Sequence, residues 1–243
     1  MSFFENFPLV DYKFGNEESF TVFRDITAYS DVIDQIKDNI AFYQDYYLQE
    51  NERPDQVSYK LYGSSGLHWT FFLLNDKLKE NGWPISNGKV IEKAQKEYAQ
   101  TTLTTRTPLY DKFKIGQTIT GNISAASAKI DHRHLDLGQI VIANIVDGPF
   151  QDGEVITSVN SNGFIESITL QSSSPEYLSA HHYENAAGET VDIDPEVGPG
   201  ALLTEITYLD RLIRQNESLK SIRVIKPSSL QQISFAFKES ISS

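Results

Sequence analysis

The stretch Arg53–Asp76, RPDQVSYKLYGSSGLHWTFFLLND, sets five aromatic residues (Tyr59, Tyr62, Trp69, Phe71 and Phe72) around the turn Gly63-Ser64-Ser65-Gly66. Pro54 suits the first turn of a helix, where its missing N–H is not needed, and Gly63 is placed to stop that helix in a left-handed conformation. Val57 and Leu61 fall on one face. Beyond the turn, Ser65 can cap a second helix with Leu67, Phe71 and Leu74 on one side and Asn75 and Asp76 at its end. Two short helices cannot bury so many rings alone, so part of this surface is expected to be completed by the flanking helices and part by another subunit. The sharper alternative is a groove in which some rings meet a ligand or a neighbour's helix.

Upstream, from Asp25, Val32, Ile33, Ile36 and Ile40 recur at helical spacing, and AFYQDYYL (Ala41 to Leu48) reads as a strand. Downstream, NGKVIEKAQKEYAQ (Asn87 to Gln100) predicts a helix with Val90, Ile91, Ala94 and Tyr98 inward and the Glu92/Lys96 and Lys93/Glu97 pairs outward. At Thr101 the character changes to short alternating runs of Gly, Ser, Thr, Ile and Val, the mark of an all-β module. Within it Phe113/Phe150, Gly116/Gly153, Ile119/Ile156 and Thr120/Thr157 each stand 37 residues apart. The echo fits either a duplicated half-barrel or two turns of similar composition. Between the two copies, GQIVIANIVDG (Gly138 to Gly148) carries the strongest strand pattern of the chain.

A loop rich in Gly, Pro and acids follows, ENAAGETVDIDPEVGPG, and helical spacing returns at Leu202, Ile206, Leu209 and Ile213. Next come a strand, SIRVIK (Ser221 to Lys226), and an amphipathic tail helix with Leu230, Ile233, Phe237 and Ile241 on one side and Ser228 or Ser229 as its cap. The expected organisation is a helical body in residues 1–102, a β domain in 103–174, an acidic loop in 175–200, and a helix-strand-helix in 201–243 that completes the body.

The 243 residues leave room for a real core, and 33 Asp and Glu against 21 Lys and Arg give a net charge of −12, which disfavours non-specific nucleic-acid binding. Cysteine is absent, which excludes disulfides, thiolate metal sites and cysteine nucleophiles. The start, MSFFENFPLVDYKFG, has no basic region followed by an apolar run, and no segment is apolar enough to read as a membrane span. The expectation is a soluble protein that stays where it is made.

Catalytic patterns are thin. No Gly-x-Ser-x-Gly elbow or phosphate-cradling glycine pattern exists, and no two carboxylates stand out from an acidic surface. Of the five histidines, His132 and His134 share one side of a strand and could hold zinc with help from His181 or His182. The plainer reading makes DHRH (Asp131 to His134) a polar loop between strands and SAHHYE a loop or strand edge whose two rings face opposite ways.

The segment with helix RPDQVSYKLYG, helix LHWTFFLLND and closing strand IRVIK resembles the βααβ module called LysM, with Tyr62, Gly63, Trp69 and Asn75 at its most specific positions. MSFFENFPLVDY, Gly82-Trp83-Pro84-Ile85 and TYLDRLIRQNESLKSIRVIKPSSL (Thr207 to Leu230) together resemble the baseplate wedge protein 53 family of T-even-like contractile-tailed phages, over about residues 1–100 and 200–241. The resemblance implies an α+β fold: a LysM-like body with flanking helices, interrupted by an inserted small all-β barrel or sandwich. It implies a non-enzymatic virion subunit, made in the host cytoplasm, that clamps adjacent baseplate wedges to one another and to a central hub in a sixfold assembly. No cofactor, metal, nucleic acid or membrane belongs to that role. Arg211, Arg214, Glu217 and Arg223 are the candidate subunit-interface residues. The alternative function is a LysM-type glycan-binding module acting at a cell wall.

Overall fold

The computed structural model describes residues 7–15, 19–25, 34 and 37–242, with backbone alone at 241 and 242. The fold is α+β, and the chain divides into two compact units: Met1–Ser86 with Asn216–Ser243, and Asn87–Gln215. The second unit therefore reaches beyond the 103–174 expected for the β domain at both ends.

In the first unit, strands β1 (Leu9–Tyr12) and β2 (Thr21–Arg24) form an antiparallel ribbon. Strand β3 (Tyr43–Tyr47) leads into helix α1 (Pro54–Tyr62). Gln56 fixes the start of α1 by accepting the Arg53 N–H at 3.1 Å. Gly63, at φ 69°, ends it in the left-handed region that a side chain would strain. The turn that follows is a 3-10 turn, Ser65–Leu67, and its cap is Ser64, whose hydroxyl accepts from Gly66 N, in place of the expected Ser65. Helix α2 (Trp69–Leu74) stops at Asn75, and a further short helix, α3 (Asp76–Asn81), starts where the sequence suggested an ending.

The first unit closes with a strand from the far end of the chain. Strand β13 (Ser221–Ile225) pairs antiparallel with β3 from Ser221↔Tyr47 to Ile225↔Tyr43. Leu48 N–H to Lys220 O (2.9 Å) and Lys226 N–H to Phe42 O (2.9 Å) extend the ladder at both ends. Phe71 sits at the centre, fully buried with Leu48, Val57, Leu78, Ile222 and Val224. Tyr62 and Trp83 pack on its ring, each with a centroid distance of 5.9 Å. The last helix, α6 (Leu230–Ser242), buries Leu230, Ile233 and Phe237, and Trp69 stacks on Phe237 at 5.1 Å. Of the five rings around the turn, only Tyr59 stands mostly in solvent, at 67 % exposure. The expected upstream helix rests on Val32, Ile33 and Ile36, which lie outside the described residues, as does the Ile241 side chain; Ile40 is exposed in a turn.

The second unit begins with helix α4 (Asn87–Glu97), which buries Val90 and Ala94 and leaves Ile91 exposed. Its core is a closed antiparallel barrel of six strands in the order β4-β7-β6-β5-β8-β9. The strands are β4 (Thr101–Thr105), β5 (Thr118–Gly121), β6 (Ser127–His134), β7 (Gln139–Val146), β8 (Val155–Val159) and β9 (Ile165–Pro175). Closure leaves no free edge in the barrel sheet.

The 37-residue echo corresponds to two similar halves. Phe113 and Phe150, and Ile119 and Ile156, are all buried in the barrel core. Gly116 N–H donates to Ile130 O (2.8 Å), and Gly153 N–H donates to Leu170 O (3.1 Å). Ile130 N–H returns a bond to Gln117 O (2.9 Å), as Leu170 N–H does to Glu154 O (2.8 Å). The equivalent residues Thr120 and Thr157 face each other where β5 pairs with β8, which gives the two halves a local two-fold relation.

After the barrel, the acidic segment is partly sheet. Strand β10 (Ala180–Glu184) lies between β11 (Thr190–Val191) and β12 (Thr204–Thr207). Ile206 therefore belongs to a strand, and the exposed Leu202 to a turn, where the spacing suggested helix. Helix α5 (Tyr208–Lys220) starts later, at a reciprocal cap: Thr207 Oγ1 accepts from Asp210 N (3.0 Å) and Thr207 N–H donates to Asp210 Oδ2 (3.0 Å). That signal was present in the sequence as TYLD.

Candidate functional site

Tyr62, Gly63, Trp69 and Asn75, the positions expected to define a LysM-like motif, make backbone contacts and pack. The Tyr62 hydroxyl donates to Ile225 O at 3.0 Å, and burial pushes its pKa up to about 12. Asn75 is buried and works as a spacer between helix and strand: its Nδ2 donates to Phe71 O (2.7 Å) and Arg223 O (2.8 Å), and its Oδ1 accepts from Arg223 N (2.8 Å). It thus satisfies the end of α2 and the free side of β13 together. A second buried asparagine, Asn216, makes the same kind of two-way pair with Ile85 N and O at 2.9 and 2.8 Å. Both join parts of the chain more than a hundred residues apart.

The charged quartet of the returning segment is divided. Arg211 and Arg214, in the second unit, turn to β10, where Arg211 donates to His181 Nε2 (3.1 Å) and Arg214 to Glu184 Oε1 (2.6 Å). Glu217 and Arg223 belong to the first unit. There Glu217 accepts from Tyr47 (3.2 Å) and pairs with Lys220, and Arg223 lies 4.7 Å over the Tyr43 ring.

Four of the five histidines gather in the second unit; His68 caps its own turn at Ser65 O (2.8 Å). His132 and His134 do share one side of β6, with ring centroids 5.1 Å apart. His181 and His182 do not face opposite ways. A register shift between Ala180 and His182 bulges β10 and brings their rings to 5.1 Å, with Nδ1 to Nδ1 at 2.8 Å. His134 Nε2 meets the Tyr208 hydroxyl at 3.2 Å. Burial first, then neighbouring positive charge, holds His134 and His181 below the usual histidine range. Among the described residues no group of three or more His, Asp or Glu side chains is arranged to hold a metal ion.

Two further features appear only in the folded chain. Glu154 is fully buried in the barrel, where it accepts from Ile123 N (3.2 Å), Ser124 N (3.1 Å), Ser124 Oγ (2.9 Å) and Gln151 N (2.7 Å). The β1–β2 ribbon exposes rings: Tyr12, Phe14 and Phe23 form an edge-on trio with centroids 4.9 to 6.3 Å apart, each between 44 and 54 % exposed. Leu9 and Val22, on the opposite face of the ribbon, are 65 and 57 % exposed. The alternation in LVDY and TVFR around Gly15 was the available signal.

No helix among the described residues is long and apolar enough to cross a membrane. Residues 4–104 match the family model described as base plate wedge protein 53, so that part of the chain is similar to a family of structural proteins of the phage tail baseplate. The match ends within β4. No curated protein matches the chain.

Proposed function

We propose that the protein is a clamp in the baseplate of a contractile phage tail, joining adjacent wedges to one another and to the central hub in a sixfold assembly. The β1–β2 ribbon carries the reading. A two-stranded ribbon is marginal in water by itself, and this one exposes Tyr12, Phe14 and Phe23 as an aromatic cluster, with Leu9 and Val22 beside Asp11 and Arg24 on the opposite face, so a neighbouring wedge subunit is what would cover the rings. The ribbon lies within the stretch that matches the wedge family.

The arrangement of β3, two helices and β13 supports a LysM-like body, with the unit Asn87–Gln215 inserted before its closing strand. Insertion on that scale is tolerated when its ends lie close together. In this reading the module is an assembly platform and not a glycan reader.

The test replaces Tyr12, Phe14 and Phe23 together by Ser. These rings are exposed, so the melting temperature of the free protein should stay unchanged, while capture by purified wedge subunits should weaken by more than about tenfold, as for a cluster of interface anchors. Unaltered capture would contradict the clamp. So would a melting temperature raised by peptidoglycan fragments and not by wedge subunits.

A further inference from the structure

The histidine pair on β10 sits in a chain of hydrogen bonds with a fixed direction. Arg211 can only donate, so His181 Nε2, 3.1 Å away, must accept. A neutral His181 then carries its proton on Nδ1 and donates it to His182 Nδ1 at 2.8 Å. His182 in turn carries its proton on Nε2 and gives it to Glu184 Oε1 at 3.0 Å, the oxygen that also accepts from Arg214 at 2.6 Å. With both rings neutral this is the one assignment in which every donor meets an acceptor. Each end of the chain is an arginine of α5, and both rings and the carboxylate belong to β10.

A proton on either ring spoils the same link. If His181 takes it, Nε2 becomes a donor aimed at the Arg211 guanidinium. If His182 takes it, its Nδ1–H meets His181 Nδ1. His181 must then accept there and move its own proton to Nε2, again facing Arg211. In both cases an N–H of His181 opposes an N–H of the Arg211 guanidinium.

We propose that His181 and His182 form a proton-operated latch, tying β10 to α5 while both rings are neutral and releasing Arg211 when one proton is taken up. The groups that face the pair fit this role. Tyr208 of α5 packs edge-on against His181 at 5.0 Å and meets His134 of β6, while Arg214 is held by Glu184. Arg133, Asp136 and Asp192 line the cavity of about 440 Å³ that both rings border, which gives a proton a route from solvent. Burial, Arg211 and the neighbouring rings hold His181 below its ordinary value, so this ring takes up a proton less readily than a free histidine does. The unfolded chain binds the proton more readily, so the contribution of this contact is fully present above the ordinary histidine value and is lost as pH falls from there through the lower folded one.

The full-length protein provides the test. In long-range proton–nitrogen correlation spectra at about pH 7.5, His181 should show the Nδ1–H tautomer and His182 the Nε2–H tautomer. On acidification to about pH 5, hydrogen-exchange protection of β10, corrected for the intrinsic rate, should fall by about tenfold while that of β7 holds. Arg211→Gln should abolish this fall, because a glutamine amide can donate to a neutral ring or accept from a protonated one. Two Nε2–H tautomers at neutral pH would overturn the proposal without any variant. An equal loss of protection in Arg211→Gln would overturn it as well. Neither result bears on the baseplate role, which the ribbon variant tests separately.

Discussion

Replacing Phe71 by Ala should destabilise the first unit by about 3–5 kcal/mol, the usual range for deleting a fully buried aromatic side chain. The ring is enclosed by residues from both chain segments of that unit, Leu48 and Val57 on one side and Ile222 and Val224 on the other. A collapse that filled the cavity would have to pull β3 and β13 out of register together, so relaxation should recover little. Denaturant unfolding followed by tryptophan fluorescence reads the effect directly, since Trp83 packs on Phe71. A loss below about 1 kcal/mol, typical of surface sites, would mean that the ring is not at the centre of the unit. Trp69→Ala should cost less, because Trp69 is half-buried and rests on the terminal helix.

Glu154→Ala should be comparably damaging to the barrel, by about 3–4 kcal/mol. Removing the carboxylate strands the amides of Ile123, Ser124 and Gln151, and charge-assisted bonds contribute about 1.5–3 kcal/mol each before water returns to some of the donors. The site has little room to adapt, for a Cβ at Gly121 would lie 2.4 Å from Glu154 Oε2. The pH dependence should carry the same signature. Burial by itself raises the Glu154 pKa, but the bonds from Ser124, Gln151 and Ile123 outweigh it and hold the carboxyl below the usual carboxylate range. A depressed folded value means that stability is fully present above the unfolded value, about pH 4.3, and is lost as pH falls through the folded one. Barrel melting temperatures measured between about pH 5 and 3 should therefore drop steeply in the native protein and less in Glu154→Ala.

What was legible in the sequence was local. Pro54, Gly63 and the apolar spacing fix two helices and a turn through effects that act within a few residues, and the alternation around Ile119, Ile140 and Ile156 does the same for strands. The family resemblance was legible because Gly82-Trp83-Pro84-Ile85 and the Tyr62-Gly63, Trp69 and Asn75 positions are ordered motifs. Partnerships across long separations were not legible. Nothing local says that Asn75 reads the backbone of Arg223, or that Asn216 reads that of Ile85. The two histidines of β10 were misjudged because strict strand alternation puts neighbours on opposite faces, and a bulge cancels that rule without a marker in composition. The partners of Arg211 and Arg214 within the chain were not legible either, because His181 and Glu184 stand 30 residues away in a segment whose acids and glycines suggested a loop. The β1–β2 ribbon was missed for the opposite reason: short alternating runs were present, but no core face was expected to remain uncovered.

The central claim is that this chain is a wedge component whose β1–β2 ribbon is covered by a neighbouring subunit. Cryo-electron microscopy of the intact tail baseplate measures that most directly. The expected map has density for the chain in every wedge, with the Tyr12, Phe14 and Phe23 face buried against another subunit. A baseplate lacking the chain, or one in which that face points into solvent, would contradict the account.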